Sequence, residues 1–549
     1  MAPLSDGMTV TGTSTPTKAV TIAAAPGATT PAESKLGLVE NFTSADYFLA
    51  MYLPTFLTVL LRSGWAMIFA ATKMMQPFYR LARRSGASAE ESLLADYLSG
   101  GLSLDTLRAM WRGNWVLLLA GLVHVGTALV VTLAGESMKV KPTGYCHTHV
   151  STHQPCDPVW VINRPVVRVM EALLCAIFVL VVALLLHTRR RFSGVFTDPS
   201  CISSMADLLG HPAFVEDLRN IPPFATADEV KAALAGNWYM LTGFEVPGGR
   251  LRYGVVKTEE GPPSSAPSQT PAGYTAFPNP GYQYCDPPPR KSWQASVVGL
   301  LDVAFFLVVV LALFSIILAY WFLKGDDPLN NFFNSDTFGP RFLLTGGAVA
   351  ASSGWKRFER EARIMEPYRR MADGQQLARA EDSIYVSPTG TPFSTVFVAL
   401  ARRNYAVAVI AAVALLSQVL IIAVPGVPFS DGQIVPAYRA STFVSLAILG
   451  VMALAFGVVV ARRRGDPPMP RAPDTPVHVW LYLCASRMVD TSHGLEVVGN
   501  RVYPYRDYGD AADVRCSYWF GLSTGVDARR RWMVDEYRYH VYHTNYKDR

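Results

Sequence analysis

Charged side chains are scarce in this chain. Asp, Glu, Lys and Arg make up only 17% of its 549 residues, against about a quarter in soluble domains. That excludes a charge-covered globular surface over much of the length. Several short motifs of enzyme chemistry are also missing. There is no HExxH, no Walker-type Gly-Lys-Ser/Thr and no GxGxxG following a strand, so the sequence offers no start for zinc proteolysis, P-loop chemistry or dinucleotide chemistry. Cysteine is rare, seven in all, and no pair has CxxC spacing. No apolar leader opens the chain. Residues 1–46 are rich in Ala, Thr, Pro and Ser and are expected to form a disordered tail, leaving the first apolar run to act as its own insertion signal.

What is present is apolar sequence in long blocks. Half of the residues are hydrophobic and the mean hydropathy is +0.21. Runs at 47–71, 115–134, 166–187, 296–323, 405–425 and 442–461 are each long enough to cross a bilayer core, which takes about 20 helical residues. A seventh stretch, 338–355, is poor in Leu and Ile and rich in Gly, Ala and Ser.

That seventh stretch gains its standing from an internal repeat. GWAMIFAATKMMQPFYRLA begins at Gly64, and GWKRFEREARIMEPYRRMA begins at Gly354, 290 residues on, with six of nineteen positions identical. Trp65, Pro77 and Arg80 return as Trp355, Pro367 and Arg370. The offset also holds upstream at Asp46/Asp336 and downstream at Asn114/Asn404. A fixed offset without gaps marks a duplicated unit, so 338–355 is the counterpart of the apolar run that ends near Trp65. The repeated segment reads as an elbow at the inner membrane interface, joining the first two spans of each copy.

Charge placement orients the spans. Lys73, Arg80, Arg83, Arg84, Arg108 and Arg112 follow the first span, and Lys356, Arg357, Arg360, Arg363, Arg369 and Arg370 follow the fifth. Spans three and seven run into Arg189-Arg190-Arg191 and Arg462-Arg463-Arg464. The positive-inside rule puts these segments in the cytoplasm. The expected fold is therefore an all-α polytopic membrane protein of about seven transmembrane helices in two parallel repeats, with small cytoplasmic α+β modules. Its parts are the outer tail 1–46, a first three-span repeat 47–191, a cytoplasmic module 192–260, a Pro-rich linker 261–292, a connecting helix 293–324, a second repeat 325–464 and a C-terminal module 465–549.

Tyr-Leu-Pro-Thr at 52–55, the Gly-Trp at 64–65, Gln-Pro-Phe-Tyr-Arg-Leu-Ala at 76–82 and Ala-Glu-Glu-Ser-Leu-Leu-Ala-Asp-Tyr at 89–97 together resemble a fungal multi-pass membrane family. It is defined by domain of unknown function 3433, typically carried twice. Glu-Pro-Tyr-Arg-Arg-Met-Ala at 366–372 and Thr-Gly-Thr-Pro-Phe at 389–393 are similar to its second copy. The resemblance implies this architecture and a fungal origin, and it implies no chemistry.

Candidate sites are few. Cys146, His147, His149, His153 and Cys156 lie within eleven residues of the loop between spans two and three. In an outer loop a Cys146–Cys156 disulfide is the plainer reading, with a zinc or copper site on the five as the alternative. Asn41 opens an Asn-Phe-Thr sequon on the same side. Ionisable groups within the spans, which would mark a pump or carrier, come down to Arg62, His124, Glu171 and Asp302. Arg62 is expected to snorkel to the interface, Glu171 to pair with Arg168, and Asp302 to sit near the inner end of its span. His124 and Gln418 would line a path between the repeats if one exists. The Gly-rich stretch 346–354 reads as close helix packing. The expectation is a non-catalytic membrane-organising or interaction protein without a cofactor. The alternative is a transporter or channel. Its partners would be the bilayer, anionic inner-leaflet lipids through the basic segments, and a cytoplasmic protein, with no role for nucleic acid. The plasma membrane is the first expectation for its location and an endomembrane the second.

Overall fold

The computed structural model describes residues 44–98, 114–143, 157–246, 249–258, 299–322, 328–333, 339–372, 377–428, 435–491, 494–498, 501–505 and 514–540. The first repeat contains α1 (Ser44–Leu81), β1 (Ala87–Ser88), α2 (Trp115–Ser137), the hairpin β2 (Met138–Thr143) and β3 (Asp157–Ile162), and α3 (Arg164–Thr188). Three short helices follow, α4 (Ile202–Asp207), α5 (Pro212–Asn220) and α6 (Ala227–Leu234), then the hairpin β4 (Trp238–Val246) and β5 (Arg250–Thr258). The second half runs α7 (Leu300–Phe322), α8 (Pro328–Phe333), α9 (Pro340–Ala372), β6 (Ala378–Arg379), α10 (Pro392–Ala401), α11 (Tyr405–Ala423) and α12 (Val435–Arg464). It closes with α13 (Pro476–Leu481), α14 (Arg487–Thr491) and four strands, β7 (Gly494–Val498), β8 (Arg501–Tyr505), β9 (Val514–Thr524) and β10 (Arg530–His540).

Six helices among the described residues are long and apolar enough to cross a membrane: α1, α2, α3, α7, α11 and α12. The seventh expected span is a helix, α9, but it does not meet that standard of composition. Its neighbours supply the reason. It packs against α2, α7 and α11 and buries Leu344, Thr345, Ala348, Ala351 and Ser352 among them. A helix shielded by other helices does not need lipid-facing Leu and Ile, and small residues let its neighbours approach closely. An added Cβ at Gly347 would come 2.8 Å from Leu313 Cδ2, and one at Gly354 would come 3.0 Å from Phe306 Cδ2. The Gly-rich stretch is thus a packing surface.

The repeated GW...P segments do not turn along a membrane surface. α1 continues unbroken through Gly64, Trp65 and Pro77 for 38 residues, about 57 Å at 1.5 Å per residue, well beyond a hydrocarbon core of about 30 Å. α9 does the same through Trp355 and Pro367. Both helices run into a globular body at their arginine-rich ends. Phe78 and Leu81 from α1, and Ile364, Met365, Tyr368 and Met371 from α9, are buried in one core with Phe214, Tyr239, Trp480, Tyr482 and Phe520. The apolar side of these segments faces protein.

That body carries the two larger sheets, apart from the two-stranded β2–β3 sheet between α2 and α3, so all-α holds for the membrane helices alone. Five strands run in the order β1-β4-β5-β7-β8 and three in the order β10-β9-β6. The duplication persists here. The strand after α1 pairs with the first module's hairpin, Ser88 opposite Trp238, and the strand after α9 pairs with the last hairpin, Ala378 opposite Tyr518. The modules 192–260 and 465–549 do not stand apart. β5 pairs with β7, with Tyr253 opposite Leu495, and α4 and α5 pack against α13. Local signals fix the edges: Thr226 and Glu229 form a capping box that starts α6, satisfying backbone donors that would otherwise lack partners.

Candidate functional site at the interface of the two repeats

Each copy locks its first two long helices with the same two devices. Trp65 Nε1 donates to the Ala120 carbonyl at 3.2 Å, and Trp355 Nε1 donates to the Ile410 carbonyl at 2.9 Å. Both indoles are buried, where an indole N–H needs an acceptor. Both bonds span 55 residues, so the 290-residue offset of the sequence is an offset in space. The second device lies three turns further along. Gln76 Nε2 donates to Asn114 Oδ1 at 3.0 Å, and Arg80 reaches the same oxygen. In the other copy Asn404 donates to Glu366 Oε1, and Arg370 Nε donates to it at 2.6 Å. Pro77 and Pro367 sit between the paired side chains, inside helices that continue past them.

Between the copies lies a band of polar side chains. Tyr52 on α1 and Ser441 on α12 share a 2.6 Å hydrogen bond. Arg62 Nη2 donates to Ser353 Oγ at 2.7 Å, and Ser63 Oγ donates to Gln418 Oε1 at 3.4 Å. Gln418 Nε2 donates to Ser352 Oγ at 2.6 Å, and Ser352 and Ser417 bond at 2.9 Å. Arg62 is therefore held within the bundle, 3% exposed, and does not snorkel. Its Nε and Nη1 have no hydrogen-bond partner among the described residues. Among the described residues His124 makes no hydrogen bond to the Gln418 group. It stacks on Phe69, with ring centroids 4.8 Å apart. Asp302 at the start of α7 pairs with Arg357 on α9, which ties the connecting helix to the second repeat. Glu171 and Arg168 lie one turn apart on α3.

Interactions that the linear pattern did not disclose gather at the ends of α9 and α12. Glu366 Oε2 accepts from Arg462 Nη2 at 2.5 Å while its Oε1 holds Arg370 and Asn404. Glu361 pairs with Arg463, and Glu359 pairs with Arg363 at 2.7 Å. The Arg463 guanidinium also lies 5.5 Å above the Phe358 ring. The carboxylates of the repeated segment thus bind arginines up to about a hundred residues away, a pairing invisible to helix periodicity.

Cys146, His147, His149, His153, Cys156 and Asn41 lie outside the described residues, as does Cys285. Cys175, Cys201 and Cys484 are free thiols. Burial pushes Cys201 up to about 11 and raises Cys484 as well, so both stay protonated and poorly nucleophilic near neutrality. Among the described residues no group of three or more His, Cys, Asp or Glu could hold a metal. One GxSxG spacing does occur, Gly521-Leu-Ser523-Thr-Gly525. Ser523 lies inside β9, opposite Arg531 in a hairpin. It lacks the strand-to-helix turn that exposes a nucleophile.

Six apolar helices of spanning length, joined at one end to a sheet-bearing body, define a multi-pass membrane protein. The family described as Protein of unknown function (DUF3433) matches residues 48–139 and again 338–429, so the chain carries two copies of that domain. The two matched segments are offset by the same 290 residues as the Trp bonds. No curated protein and no solved structure matches the chain.

Proposed function

We propose that the protein is a non-catalytic organiser of a surface membrane, the plasma membrane of a fungal cell. On this reading α9 is a seventh crossing, the N-terminus lies outside, and the globular body faces the cytoplasm, as the arginine distribution requires. The observation that carries the reading is the cross-bracing between the copies. Gln418, the side chain best placed to line a path between them, is held by Ser63, Ser352 and Ser417. Polar side chains engaged in this way act as glue between helices. The body adds support, because both copies feed one core, giving a single rigid platform against the membrane. Its exposed apolar side chains Val498 and Tyr503 lie on β7 and the edge strand β8, where a protein partner could add a strand.

The rival reading, a carrier or channel, draws on the buried Arg62 and His124. Purified protein in liposomes distinguishes the two. Flux of ions and small solutes should stay at the level of protein-free vesicles, and His124→Ala and Gln418→Ala should leave it there. Substrate-dependent flux that is abolished by either variant would replace the organiser with a transporter.

A further inference from the structure

A cavity of about 120 Å³ opens beside α10 and is lined by Arg363, Glu366, Arg370, Ser387, Thr395 and Arg402, among others. We propose that it binds the phosphate headgroup of an anionic phospholipid. The inference rests on the membrane placement argued above and names a ligand for one part of it.

Three features point to phosphate. The first is charge. Arg363, Arg370 and Arg402 line the cavity against the single carboxylate of Glu366. Including the wider network, Glu359, Glu366 and Asp382 face Arg363, Arg370, Arg402 and Arg462. The arginines keep a surplus, and Asp382 is itself 41% exposed and screened by solvent. The second is pre-organisation. Arg363 is about nine-tenths buried, pinned by Glu359 and the Gly390 carbonyl, while its Nε has no partner among the described residues. Planar guanidinium groups fixed in this way suit phosphate oxygens. The third is helix polarity. Ser394 and Thr395, in the first turn of α10, line the cavity with Gly390 just before that helix, where the helix dipole favours an anion.

The surroundings specify a lipid as the carrier of that phosphate. α10 is a short apolar helix whose Phe393, Phe397, Val398 and Leu400 are exposed, and Tyr405 and Val409 continue the exposed apolar surface onto α11. An acyl chain laid along that surface would bring its headgroup to the arginines.

The test uses full-length protein exchanged into nanodiscs of phosphatidylcholine doped with phosphatidic acid, with retained lipid read by native mass spectrometry. One phosphatidic acid per chain should be retained over phosphatidylcholine. Arg402→Gln and Thr395→Val should each weaken retention by roughly tenfold, the scale of one charged hydrogen bond. Arg190→Gln, an equal charge loss at an exposed site, should leave it unchanged. Equal losses in Arg402→Gln and Arg190→Gln, with none in Thr395→Val, would reduce the effect to surface charge and overturn the site. Complete displacement by millimolar inorganic phosphate would overturn the lipid assignment in favour of a free anion. Because none of these readouts measures flux, a transport activity would sink the organiser reading without touching this one.

Discussion

The two triple arginines have the same sequence and different fates. Arg189 and Arg190, after α3, are exposed, and Arg191 bonds to His187, four residues back on the same stretch. Arg462 and Arg463, at the end of α12, are drawn into contact with Glu366 and Glu361 of α9. The repeat identifies the cause. At the positions of Glu361 and Glu366 the first copy has Ala71 and Gln76, so its arginines have no carboxylate to reach. A basic run can serve as an orientation signal alone, or the same run can also clasp two helices. Which it does is decided on the facing helix.

This comparison can be broken most forcefully at Glu366. Glu366→Ala would leave Arg462, 3% exposed, buried without its carboxylate, and should cost about 3–5 kcal/mol, read from chemical unfolding in detergent. Gln76→Ala in the first copy removes only a neutral hydrogen bond and should cost about 1 kcal/mol. Equal losses would show that the carboxylate is not what separates the copies. A smaller contrast is expected between Arg463→Gln, at about 1.5–3 kcal/mol for a charged hydrogen bond, and Arg190→Gln, within about 0.5 kcal/mol as for other open surface sites.

The smallest contrast concerns the equivalent glycines. A methyl group at Gly354 would crowd Phe306, while at Gly64 nothing lies within 4 Å. Gly354→Ala should therefore destabilise by about 1–2 kcal/mol. Gly64→Ala should be neutral or slightly stabilising, since Ala favours helix. A loss at Gly64 matching that at Gly354 would contradict the open space beside Gly64 on α1.

How far the sequence speaks for itself follows from the range of each interaction. The apolar runs, and the 290-residue offset of Trp65 and Trp355, are properties of the linear pattern, and the helices and their indole bonds follow them. The repeated basic segments read as elbows at the inner interface, and their sequence leaves open what covers their apolar side for a physical reason. Amphipathicity says that Ile364, Met365 and Tyr368 share a face, but not whether lipid or protein covers it. The cover is Tyr482 and Phe520, more than a hundred residues away, with ring centroids 6.0 and 5.3 Å from Tyr368. Arg62 was expected at the interface because Ser353, its partner on α9, could not be seen from its own helix. The cavity beside α10 is hidden for the same reason. It needs Arg363, Arg402 and the 387–395 segment at once, and no short window contains them.

The central claim is that the two copies run parallel, so that both triple arginines emerge on the same side of the membrane. In a cysteine-depleted background, Arg190→Cys and Arg464→Cys would each be exposed and open to a membrane-impermeant maleimide in sealed vesicles of known orientation. Parallel repeats predict that both positions label from the cytoplasmic face and neither from the outside. Labelling of the two positions from opposite faces would contradict the account.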